Sequence, residues 1–158
     1  MNYFLTGGTG FIGRFLVEKL LARGGTVHVL VREQSQDKLQ KLRERWGADE
    51  KQVRAVIGDL TSPNLGIDAD TMASLKGKID HFFHLAAVYD MGADEQSQQA
   101  ANIDGTRAAV QAAEAMGAKH FHHVSSIAAA GLFKGTFRED MFEEAEKLDR
   151  KSTRLNSS

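Results

Sequence analysis

The first thirteen residues constrain this chain more than any other stretch. Asn2–Thr6 is a short apolar run that breaks into Gly7-Gly8-Thr9-Gly10-Phe11-Ile12-Gly13, a G-x-x-G-x-x-G pattern. An apolar run of that length ending in glycine reads as a buried strand. Phe11 to Arg23 then reads as a helix. Phe11, Ile12, Phe15, Leu16, Leu20 and Leu21 recur at helical spacing and predict its inward face, with Arg14, Glu18 and Lys19 opposite. Gly24-Gly25 stops it, and Thr26–Arg32 is a second strand rich in β-branched residues. A strand that enters a helix through spaced glycines and returns as a strand leaves few architectures open.

The alternation continues. Ser35–Trp46 reads as a charged surface helix with Leu39, Leu42 and Trp46 inward, and Gly47 closes it. Val53–Leu60 is a third strand, Ala69–Lys76 a short helix and Ile79–Ala87 a fourth strand. Glu95–Met116 is a long Ala-rich helix ended by Gly117, with Ala100–Ala115 predicted to pack closely on the sheet. His120–Ser126 is a fifth strand, Ala128–Gly135 a loop and Glu139–Leu148 a charged helical stretch with a solvated acidic face. Strand and helix in strict alternation call for α/β architecture: a doubly wound parallel sheet in a three-layer α/β/α sandwich, here with about five strands.

Composition narrows the class. The 158 residues carry 20 Lys+Arg against 21 Asp+Glu, a near-balance that removes the electrostatic case for nucleic-acid binding. With no Cys, disulfides, thiolate metal sites and Cys nucleophiles are excluded, and a cytoplasmic location is the expectation. No apolar run approaches the ~20 residues of a membrane helix. The six His are read as strand-lining residues rather than metal ligands, because no carboxylate or Cys cluster accompanies them.

The glycine pattern then acquires a chemical meaning. Gly7 suits the tight turn out of the strand, Gly10 the close approach of a diphosphate, and Gly13 close packing of the helix. The helix start offers free N–H groups and the positive end of its dipole to the anion. The strand-turn-helix context supports a dinucleotide-binding, Rossmann-type reading over a plain turn. Thr6, Gly7, Thr9, Gly10, Phe11, Ile12 and Gly13 are the candidate residues around that anion. About 20 positions further on, the residue ending the second strand faces the adenosine ribose. Arg32 holds that position, and its forked cation matches a 2′-phosphate, so NADP is expected. Glu33 leaves an NAD-type role open.

At this point the chain resembles the extended short-chain dehydrogenase/reductases, an NAD-dependent epimerase/dehydratase-like family. Four further segments carry the resemblance. Gly58-Asp59-Leu60 is similar to the adenine-contacting pair, here Asp59 and Leu60. His84-Leu85-Ala86-Ala87 is similar to the H-x-A-A segment whose Ala86 and Ala87 line the cofactor. Asn102-Ile103-Asp104-Gly105-Thr106 resembles N-x-x-G-T, and His123-Val124-Ser125-Ser126-Ile127 the segment bearing the catalytic Ser. The resemblance implies hydride transfer at C4 of a nicotinamide, with Ser126 bonding the substrate oxygen and Asn102 supporting the site. It further implies a Tyr acid/base whose pKa is lowered by a Lys four residues on. That Y-x-x-x-K is missing: Gly7 lies four residues after Tyr3 and Ala93 four after Tyr89. A chain without it is expected to be inactive.

The segments from His84 to Asp90 and from Ser125 to Gly131 look most like the thioester reductase and fatty acyl-CoA reductase branch, the "male sterility" NAD-binding group. This implies a small-molecule substrate, an acyl thioester or other carbonyl. A sugar-nucleotide epimerase or dehydratase, and a non-catalytic NADP(H)-binding regulatory module, remain alternatives. In related enzymes the Ala-rich helix can contribute to a dimer, so a homodimer of the full-length protein is compatible with the resemblance. The likeness covers residues 1–148, read as one NAD(P)-binding domain. Residues 149–158, Asp-Arg-Lys-Ser-Thr-Arg-Leu-Asn-Ser-Ser, have no apolar face. Their codons can be written to match a common short-read sequencing adapter. The tail is therefore expected to be non-native, replacing the natural continuation.

Overall fold

The computed structural model describes residues 1–87, 95–125 and 135–141; for residues 95–101 only the helical backbone is described. It divides into two units, Met1–Val124 and Ser125–Ser158. The first runs β1 (Asn2–Thr6), α1 (Phe11–Ala22), β2 (Thr26–Val31), α2 (Gln36–Trp46), β3 (Val53–Ile57), α3 (Ala69–Leu75), β4 (His81–His84), α4 (Glu95–Met116) and β5 (His120–His123). Short 3-10 turns occupy Glu33–Ser35 and Pro63–Gly66. In the second unit the Arg138 guanidinium holds the Asp140 carboxylate at 3.1 Å, and Glu139 and Asp140 form a turn where the sequence predicts the start of a helix. The rest of that helix, residues 128–134 of the expected loop, and the tail from Asp149 lie outside the described residues.

The five strands are parallel, in the order β3-β2-β1-β4-β5. Register follows from alternation. Tyr3 and Leu5 of β1 join Val27, Val29 and Val31 of β2 and Val53 of β3 on one face. That face is covered by Val17 and Leu20 of α1 and Leu39 of α2. Phe4, Val56 and Phe82 lie on the other face, beneath Leu75 of α3 and Ala108, Ala109, Ala112, Ala113 and Met116 of α4. The central strand β1 is buried on both sides, as a parallel sheet between helices requires. The run of alanines lets α4 sit close to the sheet, as its composition predicts.

Three features differ from the sequence reading. Strands β3, β4 and β5 end three residues earlier than expected, because the chain leaves the sheet there. After β3 the Asp59 amide donates to the Leu65 carbonyl at 2.7 Å instead of to a neighbouring strand. On α1, Phe11, Ile12 and Phe15 are exposed (74%, 58% and 46%) rather than inward. The face that packs is Gly13, Val17 and Leu20, an i, i+4, i+7 stripe that puts Phe11 and Phe15 on the opposite side. Their rings meet edge-on at 5.7 Å, and the Arg14 guanidinium lies 4.9 Å from each. On α2, Arg43 is buried beside Leu39. Its Nε donates to the Val53 carbonyl at 2.9 Å, and its Nη1 reaches Gln40 and Glu50, both at 3.2 Å. A cation at an inward position is accommodated by tying the helix to the start of β3.

Candidate dinucleotide site

The order of strands reverses between β1 and β4, since chain connections from β1 run toward β3 and those from β4 toward β5. The loops leaving the two central strands part at such a point and open a crevice. Here it is a cavity of about 480 Å³. Gly7 and Thr9 enter its wall from the loop after β1, Ala86 and Ala87 from the segment after β4. Leu30, Val31, Arg32 and Ser35 enter from the end of β2, and Gly58, Asp59, Leu60 and Thr61 from the end of β3.

The glycines are required by contact. Gly7 has φ +73°, and a Cβ there would lie 2.7 Å from the Ala86 amide nitrogen. The glycine loop and the end of β4 are therefore in backbone contact. A Cβ on Gly13 would strike the Gly7 carbonyl and the Gly8 backbone, so α1 packs on the loop itself rather than on the strand. A Cβ on Gly10 would approach only the Gly7 carbonyl, at 3.2 Å, and that residue's outer side is open. Gly10 is the N-cap of α1 and supplies no side-chain cap. The amides of Phe11, Ile12 and Gly13 thus have no intrahelical acceptor, the state in which a helix start receives an anion. These residues fit a dinucleotide diphosphate.

Thr6 lies beneath this wall, not in it. It is fully buried, and its hydroxyl is 2.7 Å from Nδ1 of His84, itself 2% exposed. The Ala86 amide donates to the same Thr6 oxygen at 3.3 Å, and Nε2 of His84 is 3.4 Å from the Thr106 hydroxyl. A neutral His84 that accepts from Thr6 at Nδ1 has its Nε2 proton for Thr106, so both ring nitrogens are used. Burial, followed by His123, pushes the His84 pKa down to about 4, which keeps it neutral. The glycine-loop motif and the H-x-A-A segment are thereby clamped to the helix that carries N-x-x-G-T.

Arg32 is exposed at the cavity mouth, just past β2. Asp59 is across from it. Its carboxylate accepts from the Thr61 hydroxyl at 2.7 Å and the Thr61 amide at 2.8 Å. The Thr61 bonds first, and Arg32 as well, hold that carboxyl below the usual range. Leu60 packs against α4 where Gly105 removes a side chain; a Cβ there would meet the Leu60 Cγ at 3.0 Å. Asn102 is half-buried on α4, three residues before Gly105. Ser126 lies outside the described residues, as does Tyr89, and Ser125 opens the second unit. Among the described residues, no group of three or more His, Cys, Asp or Glu converges as metal ligands would.

The sequence reading missed a basic cleft beside the glycine loop. Thr9, Gly10, Phe11 and Arg14 face Lys38, Lys41 and Arg45 of α2 across about 420 Å³. Spacings of three and four residues place those three cations on one side of α2, a legible signal. Arg14 contributes a buried Nε without a hydrogen-bond partner among the described residues.

Comparison with known proteins agrees with this geometry. Residues 5–157 match the family model described as male sterility protein. A linear gramicidin synthase chain of Brevibacillus parabrevis is 33% identical over 132 residues, covering 78% of this chain and 3% of that protein. The fatty acyl-CoA reductase wat of Drosophila melanogaster is 29% identical over 171 residues, covering 92% and 33%. Among solved structures, the terminal R domain from the myxalamid PKS-NRPS biosynthetic pathway superposes with a TM-score of 0.73 at 28% identity. It covers 97% of this chain and 46% of that one. The chain spans about a third or less of the length of the curated relatives it matches. With its parallel Rossmann-type sheet and glycine-lined crevice, the chain belongs to the male sterility protein family of NAD(P)-binding oxidoreductase domains, of the thioester and fatty acyl-CoA reductase type.

Proposed function

We propose that this chain is the coenzyme-binding part of an NADPH-dependent reductase acting on an acyl thioester or another activated carbonyl. The observation that carries the choice of coenzyme is Arg32 at the mouth of the crevice, with Asp59 already satisfied by Thr61. A guanidinium there offers a 2′-phosphate two parallel charge-assisted bonds and offers a neutral diol much less. Lys38, Lys41 and Arg45 add positive potential beside the glycine loop. The reductive direction and the thioester class are supported by the likeness to a fatty acyl-CoA reductase and to a terminal R domain.

In this reading the amides of Phe11, Ile12 and Gly13 hold the diphosphate. Asp59 and Leu60 hold the adenine side, and the small Ala86 and Ala87 let the coenzyme lie on the end of β4. The coenzyme supplies a hydride from C4 of its nicotinamide. Ser126 holds the substrate oxygen and Asn102 supports the site. Neither Tyr3 nor Tyr89 is followed four residues on by Lys. The 158-residue chain therefore binds coenzyme without turning it over.

NADPH fluorescence titration tests the assignment. NADPH binds more tightly than NADH, and Arg32→Gln weakens NADPH by about tenfold or more while leaving NADH unchanged, the loss of one charge-assisted contact. Tighter binding of NADH to the unaltered chain refutes the NADPH reading. Acyl-thioester turnover by the 158 residues refutes the assignment of the proton step.

A further inference from the structure

The α3 side of the sheet is not apolar throughout. Along β2, the face toward α1 reads Val27, Val29, Val31, whereas the face toward α3 begins Thr26, His28. Register sets Thr26 beside Asn2, and His28 between Phe4 and Arg54. Above this polar floor runs α3, only seven residues long. Thr71 and Ser74 from α3, with Lys78 just beyond it, complete the walls of a cleft of about 280 Å³. Packing alone does not account for it. A buried sheet face is ordinarily filled with apolar side chains. Here an imidazole that is 7% exposed has no hydrogen-bond partner among the described residues and borders a cavity.

The charge in the cleft has one sign. Arg54 and Lys78 contribute to it, and among the described residues neither has an ion-pair partner. Among those residues, no carboxylate lines it. Three carboxylates lie on neighbouring elements. Asp80 is engaged by the Asn2 amide and by Lys119 Nζ, both at 2.7 Å. Asp68 caps α3 through the Thr71 amide, and Asp70 is exposed on the first turn. Thr26 and Thr71 add hydroxyl donors, while the Ser74 hydroxyl donates to the Thr71 carbonyl at 2.7 Å. The volume falls just under the ≈ 300 Å³ at which sites for drug-sized ligands begin, so the occupant is small.

We propose that this cleft is a binding site for a small oxyanion of the phosphate class, held by Arg54, Lys78 and His28 and the hydroxyls of Thr26 and Thr71. It is separate from the dinucleotide crevice. It opens at the starts of β1 and β2, and four residues of strand, about 13 Å, separate those starts from the glycine loop. Burial first, then Arg54 and Lys78, pushes the His28 pKa down to about 4. An anion among these three groups offsets the two cations and raises that pKa, and this gives a local readout.

The test is an NMR titration of the full chain with inorganic phosphate, following the His28 ring proton, with chloride at matched ionic strength as control. Phosphate should shift the signal saturably, with a Kd of about 1 mM or tighter, and should raise the His28 pKa. The double variant Arg54→Gln/Lys78→Gln changes two exposed side chains. It should keep the native circular dichroism spectrum and lose at least about tenfold in affinity. Glycerol 3-phosphate in a second arm distinguishes a phosphate ester from free phosphate as the occupant; the tighter of the two names the source. The inference is overturned by an unmoved His28 signal at roughly 50 mM phosphate, where a millimolar site is saturated. An equal response to chloride, or full affinity in the folded double variant, overturns it too.

Discussion

Two histidines set how this protein responds to acid. His28 and His84 are both buried, and both titrate near pH 4 rather than near 6.5. Their folded pKa values lie below the unfolded ones, so the unfolded chain binds more protons between those limits. Stability is then fully present above pH 6.5 and is lost as the pH falls toward 4. A depression of that size corresponds to roughly 3 kcal/mol for each group. Urea denaturation at a series of pH values should show the midpoint level above 6.5 and falling steeply below 6. His28→Gln should flatten that slope, leaving the part carried by His84 and by His81, whose pKa is also lowered by burial and by His120 and His122. Neither residue's role is legible in the chain order. His84 belongs to a recognisable motif, but its partners come from other elements: Thr6 through the parallel register of β1 and β4, and Thr106 from α4 packed over the sheet. His28 reads as one polar residue in an apolar strand. Its significance depends on Arg54 and Lys78, which are remote in sequence.

At the scale of elements, periodicity locates helices and strands well and their inward faces less well. The limits of β1 and α4 agree with the pattern, and so does the order of helices and strands from β1 to β5. The long apolar residues of α1 mislead, because Phe11, Ile12 and Phe15 are large and apolar yet face solvent. Gly13, a residue with no side chain, marks the face that packs. This yields a second prediction. In an ordinary helix Gly→Ala gains about 1 kcal/mol of propensity. At Gly13 the added methyl meets the Gly7 carbonyl and the Gly8 backbone, neither of which can move without opening the loop. Overpacking costs typically about 1–3 kcal/mol and here outweighs the propensity. Gly13→Ala should lower Tm by several degrees and abolish measurable binding of NADPH in the titration described above.

For the molecule as a whole, the sheet has unequal sides. Strand β3 ends the sheet on one side; on the other, β5 is the edge among the described residues, and all four of its residues are exposed. Phe121 at 38% exposure and Val124 at 43% place apolar side chains beside unpaired backbone groups. His81, His120 and His122 stack in a row across β4 and β5, with ring centroids 4.8 and 5.3 Å from His81. An edge of this kind recruits further strands. Sedimentation of the 158-residue chain should show association that grows with concentration, and Phe121→Lys should suppress it without altering the circular dichroism spectrum. Monomeric behaviour of the unaltered chain at high concentration counts against this expectation.

The contact between Leu60 and Gly105 joins the nucleotide end of β3 to the long helix that follows β4. A methyl group at position 105 would press on the side chain that forms one wall of the crevice while remaining outside that crevice. Affinity for the coenzyme is thus adjustable from a residue that never meets it. A substitution in this helix can therefore retune the grip on an NAD(P) coenzyme with every residue of the glycine loop left as it is.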